Sequence, residues 1–256
     1  MRPGILPGAN ATRWLHPASL LLCIIVLGGC ATKHKHSQGG SSPPHGVEPA
    51  PKAVEPMPIA LAPTRTNHWT SDWTPLFDGK SLANWTATDF AGHGEATVEG
   101  GEIKIGMGAD LSGITWTNGT LPRTDYEISL LAMKVEGSDF FCGLTFPVAR
   151  SSCSLILGGW GGGIVGLSSL DGQDASENET TRSIGFDTGR WYRILLRVTA
   201  AKIEAWLDDK KIIDVVITGR KVSLRPGAIY LSEPLGVATY STTAAIKDFK
   251  LRVLEP

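Results

Sequence analysis

Short runs of alternating apolar and polar residues, separated by glycine, asparagine and aspartate, dominate the chain after Trp69. This period of two is typical of antiparallel β-strands, because successive side chains of a strand point to opposite faces. Clear examples are the ranges 102–105, 125–135 and 191–199, and no long amphipathic helix separates such runs. About a dozen strands without helices predict an all-β fold, in which two antiparallel sheets form a sandwich.

The remaining runs predict further strands and a set of core residues. Strands are expected over 140–146, 154–157, 163–168, 202–207, 211–217, 228–232 and 244–253. Three tryptophans alternate with polar neighbours and are predicted to face the core: Trp85, Trp191 and Trp206. Asp78 and Gly79 form a turn pair whose carboxylate is expected to cap backbone amides.

The N-terminus carries the features of an export signal. An apolar stretch over 18–29 follows Arg2 and Arg13 and ends in Leu-Gly-Gly-Cys at Cys30. The stretch is too short to span a bilayer, while its basic flank and small residues match a secretory signal. The last four residues match a bacterial lipobox, so we predict a signal peptide over 1–29 and lipidation of Cys30. An uncleaved anchor or an ordinary signal peptide is the alternative.

These features predict a protein of the cell envelope that is held at the membrane through the lipid alone. Ala31 favours the outer membrane, because it is not the aspartate that retains lipoproteins at the inner membrane of enteric bacteria. Residues 30–67 are rich in proline, serine, glycine and histidine, so they are predicted to form a disordered tether. Residues 68–256 remain for one domain.

Charge and cysteine content narrow the possible partners. The chain has 24 lysines and arginines against 25 acids and no basic run, which argues against nucleic acid as a partner.

Two cysteines, Cys142 and Cys153, remain after Cys30 and the cysteine of the predicted leader are set aside. Exported proteins can form disulfides, and either a disulfide or two buried thiols fits their positions on neighbouring predicted strands.

Two segments carry a resemblance to a known family. Residues 73–85 read Trp-Thr-Pro-Leu-Phe-Asp-Gly-Lys-Ser-Leu-Ala-Asn-Trp, and Gly-Arg-Trp-Tyr-Arg at 189–193 precedes Ile-Glu-Ala-Trp-Leu-Asp-Asp at 203–209. Together they resemble the 3-keto-disaccharide hydrolase domain of bacterial secreted proteins and lipoproteins. The resemblance implies a concanavalin A-like jelly roll that hydrolyses or binds glycans, with 3-keto-glycosides as substrates. It transfers no catalytic residue position by position.

One glycine-rich segment suggests a carbohydrate site. Trp160 is framed by glycines over 158–163, and an acidic segment over 171–182 follows. An accessible indole can stack on a sugar, while polar side chains beside it bind the hydroxyls. We therefore predict substrate binding by Trp160, Asp174 and Arg182, with His93 reaching the same face. A tight turn followed by a solvated acidic loop is the structural alternative.

Two further roles are possible for the acidic segment. Glu177 and Glu179 are two residues apart, so in an extended segment they project from one face, and we predict them as catalytic acid and base. Laminarinase-type enzymes of this fold carry a tighter glutamate-aspartate-glutamate motif, which is absent here. Alternatively, Asp171 and Asp174 could help ligate Ca²⁺, the one cofactor the segment suggests. A non-catalytic lectin-like module is the rival to an enzyme.

Overall fold

The computed structural model describes residues 69–255, and the alternating runs there form β-strands. The elements are β1 (Thr74–Pro75), β2 (Trp85–Ala87), β3 (Ala96–Glu99), β4 (Glu102–Ile105), β5 (Leu111–Trp116), β6 (Tyr126–Gly137), β7 (Cys142–Val148), β8 (Ser151–Gly158), α1 (Gly159–Gly162), β9 (Ile164–Ser168), β10 (Arg182–Ser183), β11 (Trp191–Val198), β12 (Lys202–Leu207), β13 (Lys210–Val216), a 3-10 helix (Ala228–Ser232), β14 (Gly236–Tyr240) and β15 (Thr242–Val253). The predicted signal peptide (1–29), Cys30 and the tether (30–67) lie outside the described residues.

The strands form two antiparallel sheets. Sheet 1 has the order β13-β12-β11-β6-β15-β4-β3, with β1 also paired to β15. Sheet 2 has the order β10-β9-β8-β7-β14-β5-β2. The prediction of an all-β jelly-roll sandwich is confirmed. No helix in residues 69–255 is both long enough and apolar enough to cross a membrane.

Alternation along the strands builds the core between the sheets. In β11 the even-numbered side chains from Tyr192 to Val198 are buried, and in β8 Cys153, Leu155 and Leu157 are fully buried. These side chains belong to one continuous apolar cluster. Trp85 joins it, as predicted, with its indole N–H donating to the Leu76 carbonyl at 2.9 Å. Such burial of apolar surface is the main favourable contribution to folding.

The predicted core positions of Trp191 and Trp206 are wrong. Both rings lie half-buried on the outer face of sheet 1, because their neighbours in β11 and β12 occupy the inward positions. The Lys247 ammonium lies 3.8 Å from the Trp191 ring centroid. Arg197 and Lys211 lie 5.3 and 5.0 Å from the Trp206 ring. These two tryptophans therefore contact cations on the outer face of sheet 1, and not apolar side chains of the core as predicted.

The predicted strand over 228–232 is also wrong, since this segment forms the 3-10 helix and β14 begins four residues later. The pattern of a short apolar run fits either a strand or one helical turn, and tertiary contacts decide which of the two forms. Here the Thr115 hydroxyl of β5 donates to the Leu231 carbonyl at 3.0 Å. The helix is thereby held against sheet 2.

Glu127 in β6 ties together three strands on the outer face of sheet 1. Its side chain is fully buried between Arg197 of β11 and Arg252 of β15, which are its partners in register. The carboxylate oxygens lie 2.6 Å from an Arg197 nitrogen and 2.7 Å from an Arg252 nitrogen. Because both oxygens are paired, the burial of this charge is compensated.

The Asp78–Gly79 turn forms as predicted. One Asp78 oxygen accepts the N–H groups of Lys80 and Ser81, both at 2.8 Å, and these bonds lower the pKa of the carboxyl. Gly79 adopts a positive φ of 72°, which favours glycine. This turn lies in the first segment of the family resemblance and orders the chain before β2.

Cys142 and Cys153 are free, buried thiols. Cys142 pairs in register with Leu157 and Cys153 with Phe146, so the two lie at opposite ends of the β7–β8 pair. Of the two possibilities left open by the sequence, the structure has the thiols. Burial raises the pKa of each thiol from 9.0 to about 12.

We predict that these thiols make the domain sensitive to alkali. Their folded pKa values lie above 9, so their contribution to stability is complete below pH 9 and is lost as pH rises toward 12. Each thiol should make the free energy of unfolding fall more steeply with pH, by about 1.4 kcal/mol per pH unit. The free energy of unfolding can be measured by urea unfolding of the reduced protein from pH 8 to 10.5. It should depend less steeply on pH in the double variant Cys142→Ala/Cys153→Ala than in the wild type. Equal slopes would contradict the assignment.

Candidate functional site

Small residues on the outer face of sheet 2 allow loops to pack directly on its strands. A Cβ added at Gly143 in β7 would lie 3.0 Å from the Phe140 ring. One added at Gly166 in β9 would lie 2.6 Å from the Ala175 carbonyl oxygen. Gly113 in β5 is similarly crowded by a neighbouring strand and a loop. These glycines let the loops cover most of the face and leave a defined opening.

The opening is a cavity of about 350 Å³ above the middle of sheet 2, within the range of small-molecule sites. Ser154 and Ile156 of β8 and Ser168 of β9 contribute from the strands. The other lining residues come from the surrounding loops and strand ends: Leu111, Asp139, Phe140, Trp160, Arg225, Pro226, Gly227, Ala228, Ile229 and Tyr240. An apolar pocket with a few polar groups is typical of ligand sites.

Trp160 stands at this cavity on a turn in the left-handed region. Its φ is 50°, and glycines 158, 161 and 162 also have positive φ values. The Asp139 carboxylate holds the turn, since one oxygen accepts the Gly161 N–H at 2.7 Å and the other accepts the Phe140 N–H at 2.8 Å. The indole remains 42% exposed. The glycines and Asp139 thus present an aromatic face to solvent.

Arg225 connects Trp160 to the acidic loop. Its guanidinium carbon lies 5.7 Å from the Trp160 ring centroid, and one nitrogen lies 2.9 Å from an Asp174 oxygen. The other Asp174 oxygen accepts the Ser168 hydroxyl at 2.5 Å and the Ala175 N–H at 2.7 Å. Arg225 is thereby held beside the cavity in an ion pair with Asp174. The sequence offered no signal for Arg225, which lies in a loop far from Trp160 along the chain.

Tyr240 and Phe140 line another part of the cavity. Their ring centroids are 6.0 Å apart, and Tyr240 is 38% exposed at the end of β14. The negative charge of the nearby Asp110 carboxylate is the main cause of a raised pKa of the Tyr240 phenol. Sequence reasoning missed Tyr240, because β14 itself was not predicted.

Two of the predicted substrate-binding residues lie at the cavity. Trp160 lines it, and Asp174 contacts the lining residues Ser168 and Arg225. Arg182 and His93 are exposed and do not line it. The Arg182 guanidinium donates to the carbonyls of Glu179 and Thr181, and His93 Nδ1 lies 2.9 Å from the Gly94 carbonyl oxygen.

The two predicted catalytic glutamates lie on the acidic loop and do not line the cavity. Glu177 accepts the Asp174 N–H at 3.3 Å and is otherwise exposed. Glu179 forms an ion pair with Arg220, which lowers the pKa of its carboxyl. The structure therefore does not bring these two carboxylates together over the cavity.

Arg220 is the cation that joins Asp171 to Glu179. Its Nε lies 2.7 Å from one Asp171 oxygen, and the other Asp171 oxygen accepts the Lys221 N–H at 2.8 Å. The Lys221 amide and Arg220 lower the pKa of the Asp171 carboxyl. Within residues 69–255 no group of three or more histidines, cysteines and acids is arranged to hold a metal. A guanidinium thus supplies the charge that the sequence suggested for Ca²⁺.

The strands of sheet 2 contain no aspartate, glutamate or histidine. The acids at the cavity, Asp139 and Asp174, come from loops, and each accepts hydrogen bonds that fix local structure. Ser154 is likewise paired, 2.8 Å from the Thr145 hydroxyl. The cavity therefore suits the binding of a neutral polar ligand with an apolar face.

A second depression of about 480 Å³ lies on the outer face of sheet 1. Ion pairs of Arg190 with Asp208 and of Arg193 with Asp209 cross it. Because these exposed pairs neutralise one another, the depression presents neither net charge nor a free aromatic face. We therefore place the candidate site on sheet 2.

Comparison with known proteins identifies one matching family. Residues 72–252, which include most of the chain and the whole cavity, match the family described as the 3-keto-alpha-glucoside-1,2-lyase-like domain. No curated protein matches the chain. The matched region contains both segments that carry the resemblance, residues 73–85 and 189–209.

Similar solved structures come from several carbohydrate-related proteins. They include a candidate glycosyl hydrolase of Parabacteroides distasonis ATCC 8503, 15% identical with a TM-score of 0.45, covering 72% of this chain and 94% of that one. The carbohydrate-binding module CBM66 from Bacillus subtilis is 13% identical with a TM-score of 0.45, covering 66% and 95%. Domain 4 of the arabinanase AbnA from Geobacillus stearothermophilus, in complex with arabinotriose, is 14% identical with a TM-score of 0.44, covering 67% and 84%. These values are too low to transfer a ligand or an activity.

We predict that Arg220, and not a metal ion, orders the acidic loop. Arg220→Met should lower the Tm by roughly 2–4 °C, the size of shift expected from one lost stabilising contact in a domain of this length. EDTA should leave the wild-type Tm unchanged. Arg182→Met is the matched control, because the Arg182 guanidinium donates only to the nearby backbone carbonyls of Glu179 and Thr181, and a smaller fall in Tm is expected. A Tm that falls with EDTA and recovers with Ca²⁺ would show that a metal is required.

Proposed function

This chain belongs to the 3-keto-alpha-glucoside-1,2-lyase-like family, and from that premise we propose that its domain binds a glycan in the cavity of sheet 2 and cleaves the glycosidic bond of a 3-keto-glycoside. At the coarser level, it is a glycan-related domain of the hydrolase or carbohydrate-binding type. The site, the substrate and the cleavage are the proposed part.

The exposed indole of Trp160 at the cavity is the observation that carries this proposal. A sugar ring has apolar C–H faces that stack on an aromatic ring and hydroxyls that need hydrogen-bond partners. Trp160 supplies the aromatic face. Ser168 and Arg225 supply polar groups on the same cavity, and Asp174 holds both in place.

The chemistry of a 3-keto-glycoside suits a site without a pair of free carboxylates. A ketone at C3 acidifies the hydrogen on C2, so the bond from C1 to its oxygen can break by elimination. This route needs a base near C2 and a positive group near the ketone oxygen. The Arg225 guanidinium lines the cavity and can stabilise negative charge on that oxygen.

A non-catalytic lectin-like module is the second candidate. It is favoured by the absence of acidic residues from the strands of sheet 2 and by the structural hydrogen bonds of Asp139 and Asp174. In this case the same cavity binds a glycan without turnover. The roles of Glu177 and Glu179 as acid and base stay a prediction, and neither form of the proposed function depends on them.

We also propose that the protein is a lipoprotein of the cell envelope. The support is the basic and apolar leader followed by Leu-Gly-Gly-Cys at Cys30. Acylation of Cys30 would hold the domain at the membrane through lipid alone, and Ala31 favours the outer membrane. A soluble domain on a proline-rich tether could then reach glycans outside the cytoplasm.

Trp160→Ala should weaken glycan binding by about 5- to 30-fold, corresponding to 1–2 kcal/mol of lost stacking. Binding of methyl α-glucoside and its 3-keto derivative can be measured by titration calorimetry with the full-length protein. Trp206→Ala is the matched control, since Trp206 lies on sheet 1 under Arg197 and Lys211. The affinity of this variant for the sugar should equal that of the wild type.

Chromatography of the products then separates the two candidate functions. Release of the aglycone from the 3-keto-glycoside by the wild type supports cleavage. Binding without release supports the lectin-like module. If neither sugar binds, or if Trp160→Ala binds as tightly as the wild type, the cavity is not the glycan site. Glu177→Gln and Glu179→Gln in the same assay test the earlier assignment of the acid and base.

Cys30→Ser should move the protein from the membrane fraction to the soluble fraction of the cells that express it, because the acylated thiol is lost. Metabolic labelling with a fatty acid should mark the wild type and not the variant. Cys23→Ser is the control, because Cys23 lies within the predicted leader. Label on the variant would show that Cys30 is not the acylated residue.

A further inference from the structure

The cavity on sheet 2 has a polar end and an apolar end. At the polar end, Ser154 of β8 and Ser168 of β9 are partners in register, and Asp174 joins Ser168 to Arg225. The lining residues of the other end are apolar apart from one tyrosine hydroxyl: Leu111, Phe140, Ala228, Ile229 and Tyr240. The two ends therefore offer different chemistry to a bound ligand.

Strand register sets the distance between the two ends. Ser154 pairs with Thr145 of β7, and Thr145 pairs with Gly236 of β14. Tyr240 lies at the other end of β14. Two strand spacings and the length of β14 amount to about 10 Å across the sheet and about 14 Å along it. Because this separation exceeds one pyranose ring, a single sugar at the polar end leaves the apolar end free.

The apolar end suits a flat apolar group better than a second sugar. The Phe140 and Tyr240 rings form an aromatic surface, with centroids 6.0 Å apart and planes inclined at 32°. The two oxygens of Asp139 already accept the N–H groups of Phe140 and Gly161. Hydroxyls of a second sugar would need hydrogen-bond partners in this part of the cavity, and apolar side chains such as Leu111 supply none.

The walls of the apolar end are held by backbone contacts. Tyr240 pairs in register with Leu111 of β5, and its N–H donates to the Phe140 carbonyl at 3.0 Å. Ala228 and Ile229 belong to the 3-10 helix, which the hydroxyl of Thr115 in β5 holds through the Leu231 carbonyl. A preformed surface loses little conformational freedom when a ligand binds, which favours affinity.

We propose that the apolar end is a subsite for the aglycone, and that it selects glycosides of flat aromatic alcohols over methyl glycosides and disaccharides. Tyr240 is the main specificity-determining residue, because its exposed ring can stack on the aglycone. This inference rests on the proposed function, since the sugar itself lies against Trp160.

The position of Trp160 between the two ends supports this arrangement. Its ring lies 5.7 Å from the Arg225 guanidinium carbon at the polar end. Its turn is fixed by Asp139, whose neighbour Phe140 belongs to the apolar end. A sugar that stacks on Trp160 with its hydroxyls toward Ser168 thus directs its aglycone toward Tyr240.

Titration calorimetry with the full-length protein tests the subsite. The ligands are methyl α-glucoside, phenyl α-glucoside and maltose, each also as its 3-keto derivative. The phenyl glucoside should bind at least about tenfold more tightly than the methyl glucoside, because its ring buries apolar surface. Maltose carries a second sugar in place of the phenyl group, and its affinity should lie within about threefold of that of the methyl glucoside.

Tyr240→Ala should reduce the preference for the phenyl over the methyl glucoside to less than about threefold, because the aromatic surface is lost. Tyr240→Phe should retain the preference, since the ring remains. Tyr230→Ala is the matched control, because Tyr230 is an exposed tyrosine that does not line the cavity.

Ala228→Asp provides a second test if Tyr240→Ala fails to fold, which circular dichroism would show. Ala228 is exposed on the 3-10 helix, so the substitution places a charge at the apolar end without filling the core. It should weaken binding of the phenyl glucoside by at least about tenfold and change binding of the methyl glucoside by less than about threefold.

The outcomes separate this inference from the proposed function. If the methyl glucoside binds through Trp160 but the phenyl glucoside binds no more tightly, or maltose binds more tightly than either, the aglycone subsite is wrong and the proposed function stands. A phenyl preference that survives both Tyr240→Ala and Ala228→Asp also contradicts the subsite. If no ligand binds in either form, the glycan cavity itself is refuted, and the subsite is refuted with it.

Discussion

The close packing of loops onto the outer face of sheet 2 is the constraint on which the candidate site depends. Core side chains alone would leave this face as open polar surface. Glycines at 143 and 166 remove the side chains that would keep Phe140 and Ala175 away. The covered part of the face becomes a second packed layer, and the uncovered part above β8 becomes the cavity. A methyl group at Gly143 would displace Phe140, which lines the cavity, and one at Gly166 would push away the loop that contains Ala175.

Charge at the site is used mainly to hold its shape. Asp139 fixes the turn of Trp160, and Asp174 fixes Ser168 and Arg225. Arg220 similarly joins Asp171 to Glu179 on the acidic loop. These carboxylates are already engaged in hydrogen bonds and ion pairs that fix the loops around the cavity.

Local patterns predicted the elements whose structure depends on neighbouring residues. Alternation located β4, β6, β11 and β12, and the Asp78–Gly79 turn followed from its own side-chain chemistry. The errors came where a distant contact decided the outcome. Trp191 and Trp206 alternate as core residues would, but their register turns them toward the cations Lys247 and Arg197. The run 228–232 has no intrinsic preference strong enough to resist a helical turn held by Thr115.

The amino-acid sequence by itself determined that the domain is an all-β sandwich of this family and that Trp160 is held on a glycine turn, while the export leader stays a prediction. These properties depend on composition, on a period of two and on short motifs. Only the tertiary structure decided which acids meet which cations and which side chains share the cavity. Arg225, Asp174 and Tyr240 lie far apart along the chain, and strand register and loop packing bring them to one place. No repeating pattern in the sequence predicts such contacts, because they depend on how separate strands align.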